Sequence, residues 1–141
     1  MYTCKYFKIA EIVKPSLVEA WDEALLWEIF DERVLRAADF IREHWGVTTC
    51  NTGKLINCGL RSFNDVNYPI FSPHKFGRAL DLHILEIEDK HLHEDDKIKQ
   101  YNDLRDDLIH NDNVDMAITF EGDISWLHID TYNRGKRIWH K

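Results

Sequence analysis

The stretch Ser72-Pro73-His74-Lys75-Phe76-Gly77-Arg78-Ala79-Leu80-Asp81-Leu82 constrains this chain more than any other. It presents an imidazole, then a glycine, then a carboxylate that enters an apolar run. Residues 78–85 read as a strand with Ala79 and Asp81 on one face and Leu80 and Leu82 on the other. His74 precedes the strand, in a turn made by Pro73 and released by Gly77. A loop and a strand thereby bring one nitrogen and one oxygen ligand to a common point. The candidate third ligand is His128, in Ser125-Trp126-Leu127-His128-Ile129-Asp130. In a strand over 125–131, Trp126, His128 and Asp130 share a face while Leu127 and Ile129 point the other way, so Asp130 is placed to orient an imidazole as an outer partner of the metal. Two histidines and one carboxylate leave a fourth zinc position open for water, the arrangement of a catalytic site. The competing reading is of ordinary polar residues without a metal. His83 shares the Asp81 face and reads as a partly buried structural histidine.

The same residues carry a family resemblance. Ser72, His74, Gly77, Ala79 and Asp81, followed far downstream by Trp126-Leu127-His128, resemble the fixed positions of the zinc DD-peptidase group. That group includes D-Ala-D-Ala carboxypeptidases, phage L-alanyl-D-glutamate endopeptidases and the hedgehog signalling domain. Asn57-Cys58-Gly59-Leu60-Arg61-Ser62 is similar to the family's Ser-Gly-Tyr-Arg-Ser, in which the arginine faces the substrate. Leu127-His128-Ile129-Asp130 with the late Trp139 is similar to the closing strand of phage-type members. The resemblance covers about residues 47–139.

It implies one zinc per chain on His74, Asp81 and His128, with Asp130 behind them. It also implies hydrolysis of a peptidoglycan stem-peptide bond, with Arg61, Ser72 and Trp126 towards the substrate. The family's general base is a carboxylate three residues before the last ligand, or a histidine two before it. Those positions here are Ser125 and Trp126, and neither side chain is a base at neutral pH. Glu121 and Asp123 are the remaining candidate bases, and Glu121-Gly122-Asp123 reads equally well as a plain hairpin turn. The alternative function is therefore a zinc-binding or structural phage module that keeps the fold without catalysis.

Length and composition bound these readings. A chain of 141 residues is expected to form a single domain, helical over 1–46 and carrying the metal-site core over 47–139. A hydrophobic content of 44% with five Trp and seven Phe argues against disorder. No apolar run approaches the roughly 20 residues of a membrane span, and no secretory apolar segment follows Met1. The expectation is a chain made in the cytoplasm without a signal peptide, acting at the cell wall after release as an endolysin does, or associated with a bacteriophage virion and its tail proteins. Three cysteines without a Cys-x-x-Cys pair suit a reducing compartment. A net charge of -7 argues against nucleic-acid binding but leaves room for a local basic patch at Arg134, Lys136 and Arg137.

The remaining chain predicts an α+β fold: a small, mostly antiparallel sheet with two N-terminal helices and one later helix. Ser16 and Glu19 read as a capping box opening a helix that turns Leu17, Trp21, Ala24, Leu25 and Trp27 or Ile29 to a core. Asp31 caps a second helix with Val34, Leu35, Ala38, Ile41 and Trp45 inward, stopped by Gly46. Residues 47–51 and 55–60 read as a hairpin with Cys50 and Cys58 as half-buried neighbours. The long loop 62–73 is of the kind that lines sites. His91 and His93, in an acidic run, read as a solvated loop. A helix from Asp95 or Asp96 to about His110 buries Ile98, Tyr101, Leu104, Leu108 and Ile109, and residues 114–120 alternate as a strand.

Overall fold

The computed structural model describes residues 1–141. Four helices come first: α1 (Ile9–Ile12), α2 (Pro15–Ala20), α3 (Glu23–Ile29) and α4 (Glu32–Trp45). A short strand β1 (Thr48–Thr49), a 3-10 turn (Pro73–Phe76) and strand β2 (Ala79–Ile84) follow. Then come α5 (Leu85–Glu88), α6 (Glu94–Ile109), β3 (Thr119–Glu121), β4 (Leu127–Asp130) and β5 (Ile138–Trp139). The five strands lie in the order β1-β2-β4-β3-β5, antiparallel except for the β3–β5 pair. The fold is α+β, as the patterning predicts. No helix is long and apolar enough to cross a membrane.

One face of the sheet is core and the other is site. Leu80, Leu82 and Ile84 of β2, Phe120 of β3, and Leu127 and Ile129 of β4 are buried with Val34, Leu35, Ala38 and Ile41 of α4 and Tyr101, Leu104 and Leu108 of α6. Period-2 alternation leaves Asp81, His128, Asp130, Thr119 and Glu121 on the opposite face. The helix α4 forms as predicted: the Asp31 carboxylate accepts from the Arg33 N–H at 3.0 Å, and Gly46, at φ +88°, ends the helix.

The N-terminal segment departs from its reading. Ser16 lies inside α2, behind Lys14 as the cap and Pro15 at the first turn. The reciprocal bond forms at α1 instead, where the Glu11 carboxylate accepts from the Lys8 N–H at 2.7 Å. A break at Trp21-Asp22 splits the expected single helix in two, burying Leu26 and Trp27 and leaving Trp21, Leu25 and Ile29 exposed. Two N-terminal helices thus become four, and α5 adds a turn after β2.

The hairpin over 47–60 does not form. Only Thr48–Thr49 is strand, and it pairs with β2. The backbone of 57–60 is engaged elsewhere: the Cys58 carbonyl accepts from the Asp81 N–H at 2.7 Å, and Leu60 N–H donates to the Ile12 carbonyl at 2.8 Å. A side chain at Gly59 would collide with the Ile12 carbonyl, which fixes glycine there. Cys50 is buried and Cys58 half-buried, both free. The strand over 114–120 shortens to Thr119–Glu121, because Asp115 caps a turn through the Ala117 N–H at 2.8 Å. β5, for which the sequence pattern gives no strand, pairs its two residues in parallel with β3.

Gly77 is the hinge that delivers His74 to the sheet. It takes φ +66°, and a Cβ there would lie 2.6 Å from the Ile29 carbonyl oxygen. Gly77→Ala therefore combines left-handed strain with a backbone clash, and should lower unfolding free energy by at least about 2 kcal/mol. Urea denaturation of the metal-stripped protein measures this; an unchanged midpoint would show that the turn relaxes freely.

Candidate metal centre

The β2–β4 register places Asp81 directly opposite His128. His74 reaches the same point from the 3-10 turn, where Pro73 starts the turn and Gly77 ends it. The three residues offer ligand atoms that all lie within 4.8 Å of one another. His74 and His128 are buried, at 3% and 6% exposure, and Asp81 is half-buried. The group could hold a metal ion.

Each imidazole is oriented by a partner behind it. His74 Nδ1 lies 3.1 Å from the Gly59 carbonyl oxygen. A carbonyl only accepts, so Nδ1 carries the proton and Nε2 turns its lone pair to the site. There Nε2 meets Asp81 Oδ1 at 3.4 Å, two acceptors facing one another. A cation between them would relieve this contact. His128 is held from the other side: Nε2 lies 2.8 Å from Asp130 Oδ2, and Nδ1 lies 2.7 Å from Asp81 Oδ1. The donors at the site are thus His74 Nε2, Asp81 Oδ1 and His128 Nδ1. A divalent ion bound at about 2.1 Å needs its tetrahedral donors roughly 3.4 Å apart; His74 Nε2 and Asp81 Oδ1 already have that separation, while His128 Nδ1 and Asp81 Oδ1, at 2.7 Å, would have to open.

Asp130 has the outer role that its place on the strand face predicts. It is fully buried, accepts from Thr119 Oγ1 at 2.8 Å and the Tyr132 N–H at 3.0 Å, and pairs with Arg134 at 3.3 Å. Burial raises its pKa, but the bond to His128 leads the groups that bring it below the ordinary carboxylate range. Asp81 is likewise held low against its burial by the imidazoles of His74 and His128, and with His74 neutral the charge that does so sits on His128. Burial depresses the His74 pKa and keeps that ring neutral. Burial also disfavours the His128 imidazolium, yet Asp130 and Asp81 on either side push its pKa up to about 9. Without a metal, a proton on His128 Nδ1 occupies the place a cation would take.

A cavity of about 470 Å³ opens over this group. Arg61, Ser72, Glu121 and Trp126 all line it, so the structure brings together eight of the nine site residues read from the sequence when Asp130 is counted behind His128. The ninth, Asp123, lies apart: it is exposed, bonds Asn102 at 2.9 Å and faces His140 at 3.0 Å. Arg61 is anchored by its Nε–H to the Asn57 carbonyl at 2.7 Å, stacks over Tyr68 at 3.9 Å, and turns Nη2 to within 3.5 Å of Asp81 Oδ2. Ser72 is buried, 3.5 Å from Arg61 Nη1. The loop 62–73 lines the cavity through Tyr68, Pro69 and Phe71.

Glu121 ends β3 and is not a turn residue. The β3–β4 register pairs Thr119 with Asp130 and Phe120 with Ile129, so its next step sets Glu121 opposite His128. Glu121 also pairs with Trp139 of β5. Asp81 and His128 thus pair across β2 and β4, Glu121 and Trp139 across β3 and β5, and all four line the cavity. The Trp139 ring meets His128 edge-on at 5.7 Å, with the Arg134 guanidinium stacked 3.8 Å over it. The sequence gives no signal for the Gly59 carbonyl behind His74, since a backbone acceptor is anonymous. Thr119 could have been found, since it shares the alternating face with Glu121.

Compared with family models, with curated proteins and with solved structures, the chain matches none.

Metal analysis should give about one ion per chain, and His74→Ala or Asp81→Ala should remove most of it. The His128 pKa gives a separate expectation for chelator-treated protein. A folded-state pKa of about 9, above the ordinary 6.5, stabilises fully below pH 6.5 and progressively less as pH rises through 9. His74 acts in the other window, below 6.5, where its buried neutral ring resists protonation. Melting temperature should thus fall between pH 6.5 and 9 in the metal-free protein and much less with metal bound. Equal slopes in both forms would exclude a shared place for proton and metal.

Proposed function

We propose that the chain is a zinc-dependent peptidase acting on the stem peptides of peptidoglycan, of the D-Ala-D-Ala carboxypeptidase or L-Ala-D-Glu endopeptidase type. The observation that carries this reading is the cluster of His74 Nε2, Asp81 Oδ1 and His128 Nδ1, each ring held from behind and all three open to one cavity. Two imidazoles and one carboxylate are a donor set that suits zinc and leaves a position free for water. A zinc ion held there would supply a Lewis acid for the scissile carbonyl and for the attacking water.

The chain's own groups account for the rest. Glu121, opposite His128 on the cavity face, takes the proton from the attacking water and returns it to the amine as the C–N bond breaks. Arg61 fixes a substrate carboxylate or steadies the oxyanion; its planar fork is already held by Asn57 and Tyr68. Trp126, Phe71 and Trp139 supply apolar wall, and Arg134 and Lys141 add positive charge suited to an acidic peptide. Asp130 keeps the His128 tautomer that points Nδ1 inward. A peptidase of this kind fits a phage or prophage lysis factor released to the wall, or a virion component among tail proteins.

A second reading has its own observation. Ser125 is buried and Trp126 fills the cavity edge where the resembled peptidases carry their base, which favours a zinc-binding module without turnover. One experiment separates the two: purified peptidoglycan is digested with zinc-loaded wild type, Glu121→Gln, Asp123→Asn and His128→Ala, and products are read by mass spectrometry. The peptidase reading expects Glu121→Gln to keep zinc and fold while losing about two to four orders of magnitude in turnover. Asp123→Asn should stay near wild type, since Asp123 lies outside the cavity. No cleavage by wild type across several wall chemistries would leave the binding module; full activity in Glu121→Gln would move the base elsewhere.

A further inference from the structure

A second cavity, of about 480 Å³, lies beyond Tyr132, whose side is shared with the metal cavity. Its charge runs against that of the whole molecule. The chain carries a net charge of -7, yet the cavity is lined by Arg33, Arg78, Lys136 and Arg137 and by no Asp or Glu. The acids nearby are Asp31, which pairs with Arg33 at 2.7 Å and accepts from Thr131 Oγ1, and Asp115, whose charge reaches Arg33 and Arg137 without contact. Arg33 is thereby neutralised. Arg78, Lys136 and Arg137 have no carboxylate within ion-pair distance.

Their donors are only partly used. Arg78 gives Nε–H and Nη2–H to the Thr131 hydroxyl and carbonyl, at 3.1 and 2.6 Å, and leaves Nη1 free. Arg137 gives Nε–H to the Ile118 carbonyl at 2.8 Å and sets Nη1 against the Met116 sulfur, while its Nη2 is buried without a partner. Lys136 and Asn133 are exposed at the rim. Two guanidinium forks anchored on Thr131 and Ile118, with N–H groups unused and no carboxylate in ion-pair contact, are the chemistry that recognises an oxyanion. Tyr132 joins this cavity to the other: Arg78 lies 5.0 Å over its ring and Arg134, from the metal side, 5.5 Å. Its hydroxyl donates to the Phe71 carbonyl at 2.8 Å, which fastens the loop 62–73 to the shared wall.

We propose that the cavity of Arg78, Lys136 and Arg137 is an oxyanion-binding subsite, taking a carboxylate or phosphate group, separate from the metal centre and divided from it by Tyr132. Acidic side groups and phosphoesters both present such oxygens, and the two sources are told apart below. The subsite needs neither metal nor turnover, so it stands or falls independently of the peptidase reading.

The test is a titration of the full-length, isotope-labelled protein with inorganic phosphate and with glutarate at fixed ionic strength, followed by amide shifts. Saturable shifts are expected at Ala117, Thr119 and residues 131–137, and Lys136→Gln and Arg137→Gln should each weaken binding about five-fold or more. Arg137 also supports Ile118, so Lys136→Gln, whose side chain makes no hydrogen bond or ion pair in the structure, is the variant that guards against a folding defect. Tighter binding of glutarate would identify a carboxylate ligand, and tighter binding of phosphate a phosphoester. Shifts that never saturate, or a midpoint unchanged in both variants, would overturn the subsite.

Discussion

The contact on which the rest of the structure depends is the cross-strand pair of Asp81 and His128. Two strands separated by 47 positions in sequence meet in a register that sets a carboxylate against an imidazole at 2.7 Å, on the polar face of a sheet whose other face is core. A slip of β2 by one residue would send Asp81 into the apolar layer and bring Leu80 and Leu82 out, and a slip of β4 would do the same to His128, Leu127 and Ile129. Hydrophobic burial on one face therefore fixes the polar geometry on the other. The core does not merely support the site; it sets its register.

Buried charge of this density needs compensation. A carboxylate or imidazolium taken out of water costs several kcal/mol unless paired and hydrogen-bonded. Here every group has a designated partner. Asp130 spends its oxygens on His128, Thr119, Tyr132 and Arg134; His74 leans on the Gly59 carbonyl; Asp81 is reached by both rings and by Arg61. The exception is the face of His74 Nε2 towards Asp81 Oδ1, where two lone pairs meet. An otherwise satisfied network with one acceptor-to-acceptor contact at its centre is understandable if a cation belongs there.

Much of this was legible in the sequence because it depends on local rules. Period-2 alternation in 78–85 and 125–131 assigned Asp81, His128 and Asp130 to one face, and Pro73 and Gly77 bracketed the turn that carries His74. Asp31 and Gly46 marked both ends of α4. What stayed hidden was set by long-range partners. Residues 57–60 have strand-like composition, yet their backbone groups bond to Ile12, Asp81 and His74 instead of to a hairpin partner. Trp21, Leu25 and Ile29 have helical spacing, but the break after α2 turns them outward. β5 has two residues and no pattern long enough to read. Asp123 and Glu121 looked alike as acids before the ligand strand, and only the end of β3 separates them.

That last distinction bears on how a catalytic carboxylate can be supplied. A group beside a strand residue can come from two positions upstream in the same strand, or from the residue opposite it in the next strand. Both routes bring Cβ atoms to within about 5–7 Å of the ligand, on the same face. The resembled peptidases with a histidine base use the first route, and this chain has Trp126 there. The second route is open because β3 pairs with β4 and ends at Glu121, opposite His128 and beside Trp139. Counting along the chain puts Glu121 seven positions from His128; counting across the sheet puts it in the next strand. A carboxylate missing from the expected place in the sequence is therefore no proof of a missing base, since the sheet provides an equivalent position one strand over.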